Sequence, residues 1–214
     1  IIKKLKIKKS GYILSGLNLA FIGFIENIEP DRSFRLWPDG IFSKFFTKKA
    51  EKFAGRNIIK KINDWCTKDI VLVGNLNKHA KIFFKKKKIR IKNYVKLPYG
   101  SINLIKKKII KFPFQRIKQD VPIIITLPTP KQEIVAKAIY HQNPKLKILC
   151  LGGALNIVSG HELPVPKFLE DLGLEFFWRL RTDPIRRTLR LFKSFFKAII
   201  FGIFFRNEYE FKQK

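Results

Sequence analysis

Residues 123–140 read IIITLPTPKQEIVAKAIY. An unbroken apolar run, Ile123–Leu127, passes through a Pro-rich turn into a helical pattern over Lys131–Tyr140. A short β-branched run bounded by prolines reads as a strand buried on both faces. A strand that enters a helix through a short turn is the βα unit of a parallel sheet. The unit recurs along the chain. Apolar runs at Tyr12–Leu17, Phe34–Trp37, Ile70–Gly74, Ile89–Val95 and Ile148–Leu151 alternate with helical patterns at Ile41–Lys52, Asn57–Cys66, Asn77–Lys87 and Ile102–Lys111. This alternation predicts an α/β fold with a mostly parallel sheet and helices on both faces. In such sheets ligands bind outside the carboxyl ends of the strands, so the turns there are where chemistry belongs.

Those turns are Gly16-Leu17-Asn18, Trp37-Pro38-Asp39-Gly40, the segment Leu127 to Glu133, and Gly152-Gly153-Ala154-Leu155-Asn156. Asp39 is a lone carboxylate in a chain short of them, placed to take a proton from an attacking hydroxyl. Pro-Asp-Gly is equally an ordinary turn sequence. Gln132 and Glu133 open a helix, whose backbone N–H groups suit a diphosphate, and the Gln132 amide suits a sugar hydroxyl. Gly152-Gly153 lets backbone approach a ligand closely. Neither GxGxxG nor GxxxxGK[ST] is present, which argues against nicotinamide and P-loop nucleotide sites. His79, His141 and His161 lack metal-ligand spacing, and there is no HExxH or Asp-x-Asp. No metal and no cofactor are expected.

The chain carries 45 Lys+Arg against 16 Asp+Glu, a net charge of +29 over 214 residues. Such a surface meets nucleic acid, phospholipid head groups or phosphorylated substrates. Its richness in Ile, Lys, Asn and Phe also fits an AT-rich genome, which leaves the C-terminal arginines unexplained. Lys85–Lys88 reads as a solvated helix end. Cys66 and Cys150 form no framework and suit a reducing, cytoplasmic setting. Met is absent, which predicts a chain trimmed or cut short of its true start. No apolar run approaches the length of a membrane span.

After Gly160 the strand pattern stops, dividing the chain into a core at 1–160 and a helical appendage at 161–214. One helix is expected over about Pro166 to Arg181, and a second begins at Asp183-Pro184, a cap followed by Pro in the first turn. In the second, Ile185, Leu189, Phe192, Phe196, Ile199 and Ile203 form an apolar stripe. Arg186, Arg190, Lys193 and Lys197 fall one position later. An apolar stripe beside a basic one suits a helix lying in a membrane interface. A helix packed on its own domain, with a solvated basic face, is the alternative.

Taken in order, Asn18, Pro38-Asp39-Gly40, Glu51–Gly55, Pro130-Lys131-Gln132-Glu133, Gly152–Gly160, Pro166-Lys167, Gly173–Leu180 and Asp183–Arg187 resemble the WecG/TagA/CpsF glycosyltransferases. The Gly-Leu-Glu-aromatic-x-aromatic-Arg-Leu and Pro-Lys-Gln-Glu segments carry most of the likeness. The resemblance implies a Rossmann-like core, a membrane-docking C-terminal appendage and metal-independent chemistry. It also implies transfer of N-acetylmannosamine or a related HexNAc from a UDP-sugar to an undecaprenyl-diphosphate-linked acceptor in cell-surface polysaccharide synthesis.

By the same resemblance Asp39 is the catalytic base. Asn18, Lys52, Gln132, Glu133, Gly152, Gly153 and Asn156 meet the donor or substrate, and Arg179, Arg186, Arg187 and Arg190 meet the acceptor diphosphate. The chain departs from the family pattern at Gly16, where members carry Thr, and at Lys52, where they carry Arg. It also departs at Asn156, in place of Asp, and at Pro164, in place of Arg. The expected setting is peripheral, at the inner face of the cytoplasmic membrane, with self-association as another cover for the apolar stripe. A non-catalytic membrane-bound scaffold and a basic nucleic-acid-binding protein are the other readings, the second without any recognition motif, so no specific nucleic acid is expected as a partner.

Overall fold

Six strands occupy the apolar runs: β1 (Tyr12–Leu17), β2 (Phe34–Pro38), β3 (Asp69–Gly74), β4 (Arg90–Lys96), β5 (Ile123–Ile125) and β6 (Lys147–Cys150). The structure, a computed structural model, describes residues 11–39, 53–66, 68–98, 100–172, 174–181 and 184–204. Side chains are described there except at 170, 171, 176, 179, 186 and 201–204. The strands form one sheet in the order β2-β1-β6-β5-β3-β4, with every neighbouring pair parallel. This is the α/β, Rossmann-like architecture, and the sheet is wholly parallel among the described residues rather than mostly so.

Burial follows from position in the sheet. Ile123, Ile124 and Ile125 of β5 are each fully buried, which explains their unbroken apolar run. At the edge, β4 reads Arg-Ile-Lys-Asn-Tyr-Val-Lys and exposes its charged residues, which protects a free strand edge from pairing with another chain.

One face is covered by α1 (Leu19–Gly23), α2 (Ile25–Ile28), α6 (Ile102–Lys111) and α7 (Lys131–Gln142). The other is covered by α3 (Gly55–Lys60), α4 (Ile62–Trp65), α5 (Lys78–Lys86) and α8 (Ala154–Val158). Connections running one way along the sheet place their helices on one face, and those running back use the other, as crossovers of a single hand require. The chain leaves β6 toward the second face, whereas its neighbours β1 and β5 lead to the first. Crevices therefore open on both sides of the β6 terminus.

Some elements differ from the sequence expectation. The helix expected over Asn57–Cys66 is two, α3 and α4, interrupted at Lys61. Helices α1 and α2 were not expected at all. The helix expected over Pro166 to Arg181 is α9 (Lys167–Asp171) and α10 (Glu175–Leu180). The helix expected at Ile41–Lys52 and the cap at Asp183 lie outside the described residues, as does the side chain of Ile203 at the end of the apolar stripe.

The last helix, α11 (Pro184–Phe204), packs against α1. Small residues set the approach: Ser194 is buried, and a Cβ on Gly23 would overlap its carbonyl. Ala198 also packs on the core. The opposite side is apolar. Ile185, Leu189, Phe192, Phe196 and Ile199 are 42% to 75% exposed. The basic residues do not simply flank that stripe, because the Lys197 ammonium turns back over the Phe24 ring at 5.0 Å. No helix among the described residues is long and apolar enough to cross a membrane.

Candidate functional site

The candidate site is assembled from the carboxyl ends of β1, β2, β5 and β6. At β1 the strand passes into α1 through Asn18. Its side-chain oxygen accepts the Phe21 N–H at 3.0 Å and caps the helix, as Asn commonly does. The other half of the same amide, Nδ2, donates to Asp39 Oδ2 at 3.1 Å. Asp39 follows directly on β2, and its N–H donates to the Leu17 carbonyl at 3.1 Å. A half-buried carboxylate is thus fixed at both backbone and side chain. Gly16 makes the room for it: a Cβ there would lie 2.9 Å from Asp39 Cβ and 3.0 Å from Oδ2.

On the other side of β1 the turn between β5 and α7 forms a buried polar knot. The Thr129–Pro130 peptide is cis. Glu133 is 0% exposed. Its Oε1 accepts from Ser15 Oγ at 2.8 Å, Thr129 Oγ1 at 3.1 Å and Gln132 Nε2 at 2.8 Å. Its Oε2 is buried without a partner. Burial pushes the Glu133 carboxyl above its usual range, and the bonds from Ser15, Gln132 and Thr129 oppose that rise. Burial likewise raises the Cys150 thiol, with Glu133 adding to the effect. Gln132 Nε2 also donates to Thr129 Oγ1 at 3.1 Å, and Gln132 Oε1 accepts the Gly152 N–H at 2.9 Å. The turn after β6 is thereby tied to the start of α7.

Gly152 has φ +52, in the left-handed region open to glycine. A Cβ on Gly153 would meet nothing within 4 Å, so the turn presents open backbone. Asn156, in α8, is held from two directions. Its Oδ1 accepts from Asn77 Nδ2 at 3.2 Å, and its Nδ2 donates to Glu162 Oε1 at 3.2 Å. Asn77 in turn caps α5 through the Ala80 N–H at 2.8 Å.

Two arginines of α11 reach these loops. Arg190 Nη2 donates to the Thr129 carbonyl at 3.1 Å. Arg187 pairs with Glu162 at 3.6 Å. Arg56 of α3 pairs with Glu175 of α10 at 3.4 Å.

The sequence-predicted residues Asn18, Asp39, Gln132, Glu133, Gly152, Gly153 and Asn156 therefore gather along one edge of the sheet. Glu133 lies beneath that edge rather than on it. Arg187 and Arg190 come to the neighbouring loops, where each has a protein partner. Lys52 and the side chains of Arg179 and Arg186 lie outside the described residues. Sequence reasoning missed Ser15, Thr129, Asn77 and Glu162. Ser15 carried a signal, the one short polar side chain within the apolar strand Tyr-Ile-Leu-Ser-Gly-Leu, where burial calls for a partner.

Residues 112–210 match the family model described as the glycosyl transferase WecG/TagA/CpsF family, and over that stretch the chain is similar to this family. The stretch contains Gln132, Glu133, the Gly152-Gly153 turn, Asn156 and α11 up to its last described residue, while Asn18 and Asp39 precede it.

Proposed function

On the premise of that match, we propose that the chain transfers a HexNAc-type sugar, N-acetylmannosamine or its uronic acid, from a UDP-sugar to a polyprenyl-diphosphate-linked acceptor in cell-surface polysaccharide synthesis. The observation that carries the reading is Asp39, a carboxylate held by Asn18 Nδ2 and by its own N–H at the strand-end edge. It adjoins the matched stretch through β1, whose Ser15 bonds Glu133 while Gly16 abuts Asp39.

In the reaction the acceptor hydroxyl attacks the anomeric carbon of the donor. A new carbon–oxygen bond forms as the bond to the diphosphate breaks. Asp39 takes the hydroxyl proton, and UDP leaves with the electron pair. Direct displacement inverts the anomeric centre. The open Gly152-Gly153 backbone and the Gln132 side serve the donor, with Asn156 beside them. Arg187 and Arg190, which reach Glu162 and Thr129 of these loops, serve the acceptor diphosphate, a role for which guanidinium forks suit phosphate oxygens.

Residues 1–160 act in this reading as the catalytic core and 161–214 as the docking appendage at the inner face of the cytoplasmic membrane. The exposed Ile185, Leu189, Phe192 and Phe196 support it, because a contiguous apolar face seeks a membrane or a second copy of the chain.

The test is UDP release by the purified chain with a panel of UDP-HexNAc donors and a short-chain polyprenyl-diphosphate-GlcNAc acceptor. Acceptor-dependent release that collapses in Asp39→Asn is the expected result. Release equal in Asp39→Asn removes the base from the mechanism, and a chain that neither releases nor binds UDP removes the transferase.

A further inference from the structure

We propose that Glu133 is a positioning residue. Its buried carboxyl sets the orientation of the Gln132 amide, and through it the Gly152 N–H and the glycine turn that follows. The proposal deepens the reading above and rests on it for the identity of the ligand.

Contact with a ligand is excluded first. Glu133 is 0% exposed and its Oε1 is occupied by Ser15, Thr129 and Gln132. What it does must pass through a neighbour. The Gln132 amide is that neighbour, because both of its ends are assigned. Its nitrogen donates to Glu133 Oε1 and Thr129 Oγ1, and its oxygen accepts the Gly152 N–H. Turning the amide by half a revolution would set its oxygen against the Glu133 oxygen and its NH2 against the Gly152 N–H. Both contacts then join like to like. A glutamine has no such preference by itself. An acceptor fixed at Glu133 Oε1 supplies it.

Glu133 is fixed in its own turn by two hydroxyls. Ser15 comes from β1, 118 residues away, and Thr129 comes from the turn ahead of α7. The chain of bonds therefore runs from β1 through Glu133 and Gln132 to the end of β6. Gly152 is the residue whose left-handed backbone aims the turn. Its N–H also reaches the Ile125 carbonyl at 3.3 Å, so the shorter bond to Gln132 selects between two acceptors for one donor.

The geometry separates two variants. Oε2 has no partner, so Glu133→Gln places its NH2 where no bond is lost and keeps an oxygen at Oε1. Glu133→Met keeps length and bulk and removes the acceptor.

The experiment uses the full chain, two-dimensional NMR with hydrogen exchange, and titration with UDP. Wild type is expected to show two separate, exchange-protected Gln132 Nε2 protons and a protected Gly152 amide. Glu133→Gln should keep both, with UDP affinity close to wild type. Glu133→Met should lose the Gly152 protection and weaken UDP binding about tenfold, the scale of one buried hydrogen bond. A merely structural role would lower the melting temperature and leave those two readouts in place.

The proposal is overturned if Glu133→Met keeps the Gly152 protection, or if Glu133→Gln loses as much as Glu133→Met. Should Glu133→Met fail to fold, averaged, unprotected Gln132 protons in the wild type overturn it without any variant. If wild type binds no UDP, the transferase reading fails, and the Gln132 and Gly152 exchange still decides the role of Glu133.

Discussion

The most direct perturbation of the candidate base does not touch it. In Gly16→Ala the new Cβ would stand 2.9 Å from Asp39 Cβ, 3.0 Å from its Oδ2 and 3.2 Å from its Cγ. Carbon atoms in contact prefer about 3.5–4.0 Å, so roughly 0.6–1 Å must be found between β1 and the residue after β2. Both strands are held in register at Gly16↔Trp37 and Leu17↔Pro38, which leaves the Asp39 backbone just past β2, and the carboxylate it carries, as the part that yields. Its bond from Asn18 Nδ2, already 3.1 Å, is lost in that movement. Overpacking of this kind costs about 1–3 kcal/mol of stability. The effect on turnover is larger in proportion, since a reacting group displaced by about 1 Å loses on the order of 100-fold in rate. The assay is acceptor-dependent UDP release, with thermal melting as the control for folding. A folded Gly16→Ala chain that turns over like wild type would refute the claim that this glycine exists to seat Asp39.

Asn18 separates capping from catalysis. Asn18→Ala removes the α1 cap and the Asp39 bond together, about 1 kcal/mol and a fall of about 2–4 °C in melting temperature. Asn18→Asp keeps a good cap but sets a like charge beside Asp39. The acid limb of its pH–rate profile should move upward, and an unmoved limb counts against Asp39 as base. Glu133→Gln should change how stability depends on pH. Burial raises the folded-state carboxyl above its unfolded value, so its stabilisation is complete below the ordinary Glu range and is lost as pH rises through the folded value. The melting temperature of the variant should therefore gain on wild type as pH rises, and a constant difference would refute the buried charge. Replacing Phe192 and Phe196 by Ser removes apolar surface that is 56% and 62% exposed. Partitioning onto phosphatidylglycerol vesicles should fall at least about tenfold, given about 1.5–3 kcal/mol for each fully buried aromatic side chain. Unchanged partitioning would take the outer face of α11 out of any membrane contact.

The parts of the fold that could be read from the sequence are those with one dominant environment. The strand Tyr12–Leu17 and the helix Ile102–Lys111 fall where the pattern places them, because each has a plain period or an unbroken apolar run. Helices α1 and α2 escaped notice for a physical reason. Phe21, Ile22, Ile25 and Ile28 are all buried, and α11 covers α1 from outside the sheet. A helix covered on both sides, as α1 is, loses the polar face that reveals its period, and α2, at four residues, is too short to show one. Asn18, Asp39, Gln132 and Gly152 were legible because a parallel sheet places strand-end turns on one edge. The partner of Ser15 was not, since it stands 118 residues away, a distance no local pattern encodes. The arginines were legible as charges and illegible as partners: spacing gives a helix face, not what lies under it.

The architecture of α11 reverses the usual amphipathic arrangement, and that reversal bears on how acceptor and site meet. A surface helix ordinarily turns its large apolar residues inward. Here the inward contacts are Gly23, Ser194 and Ala198, and the large residues point out. Small residues bring the helix close to α1, so Arg187 and Arg190 can reach Glu162 and Thr129 across a short gap. Those partners belong to the loops that carry Asn156 and Gln132. One helix therefore offers its outer face to whatever covers it and its inner arginines to both walls of the crevice. In the proposed reaction this brings a lipid-anchored diphosphate and the transferring sugar to one place, with the membrane surface fixing the height at which they meet.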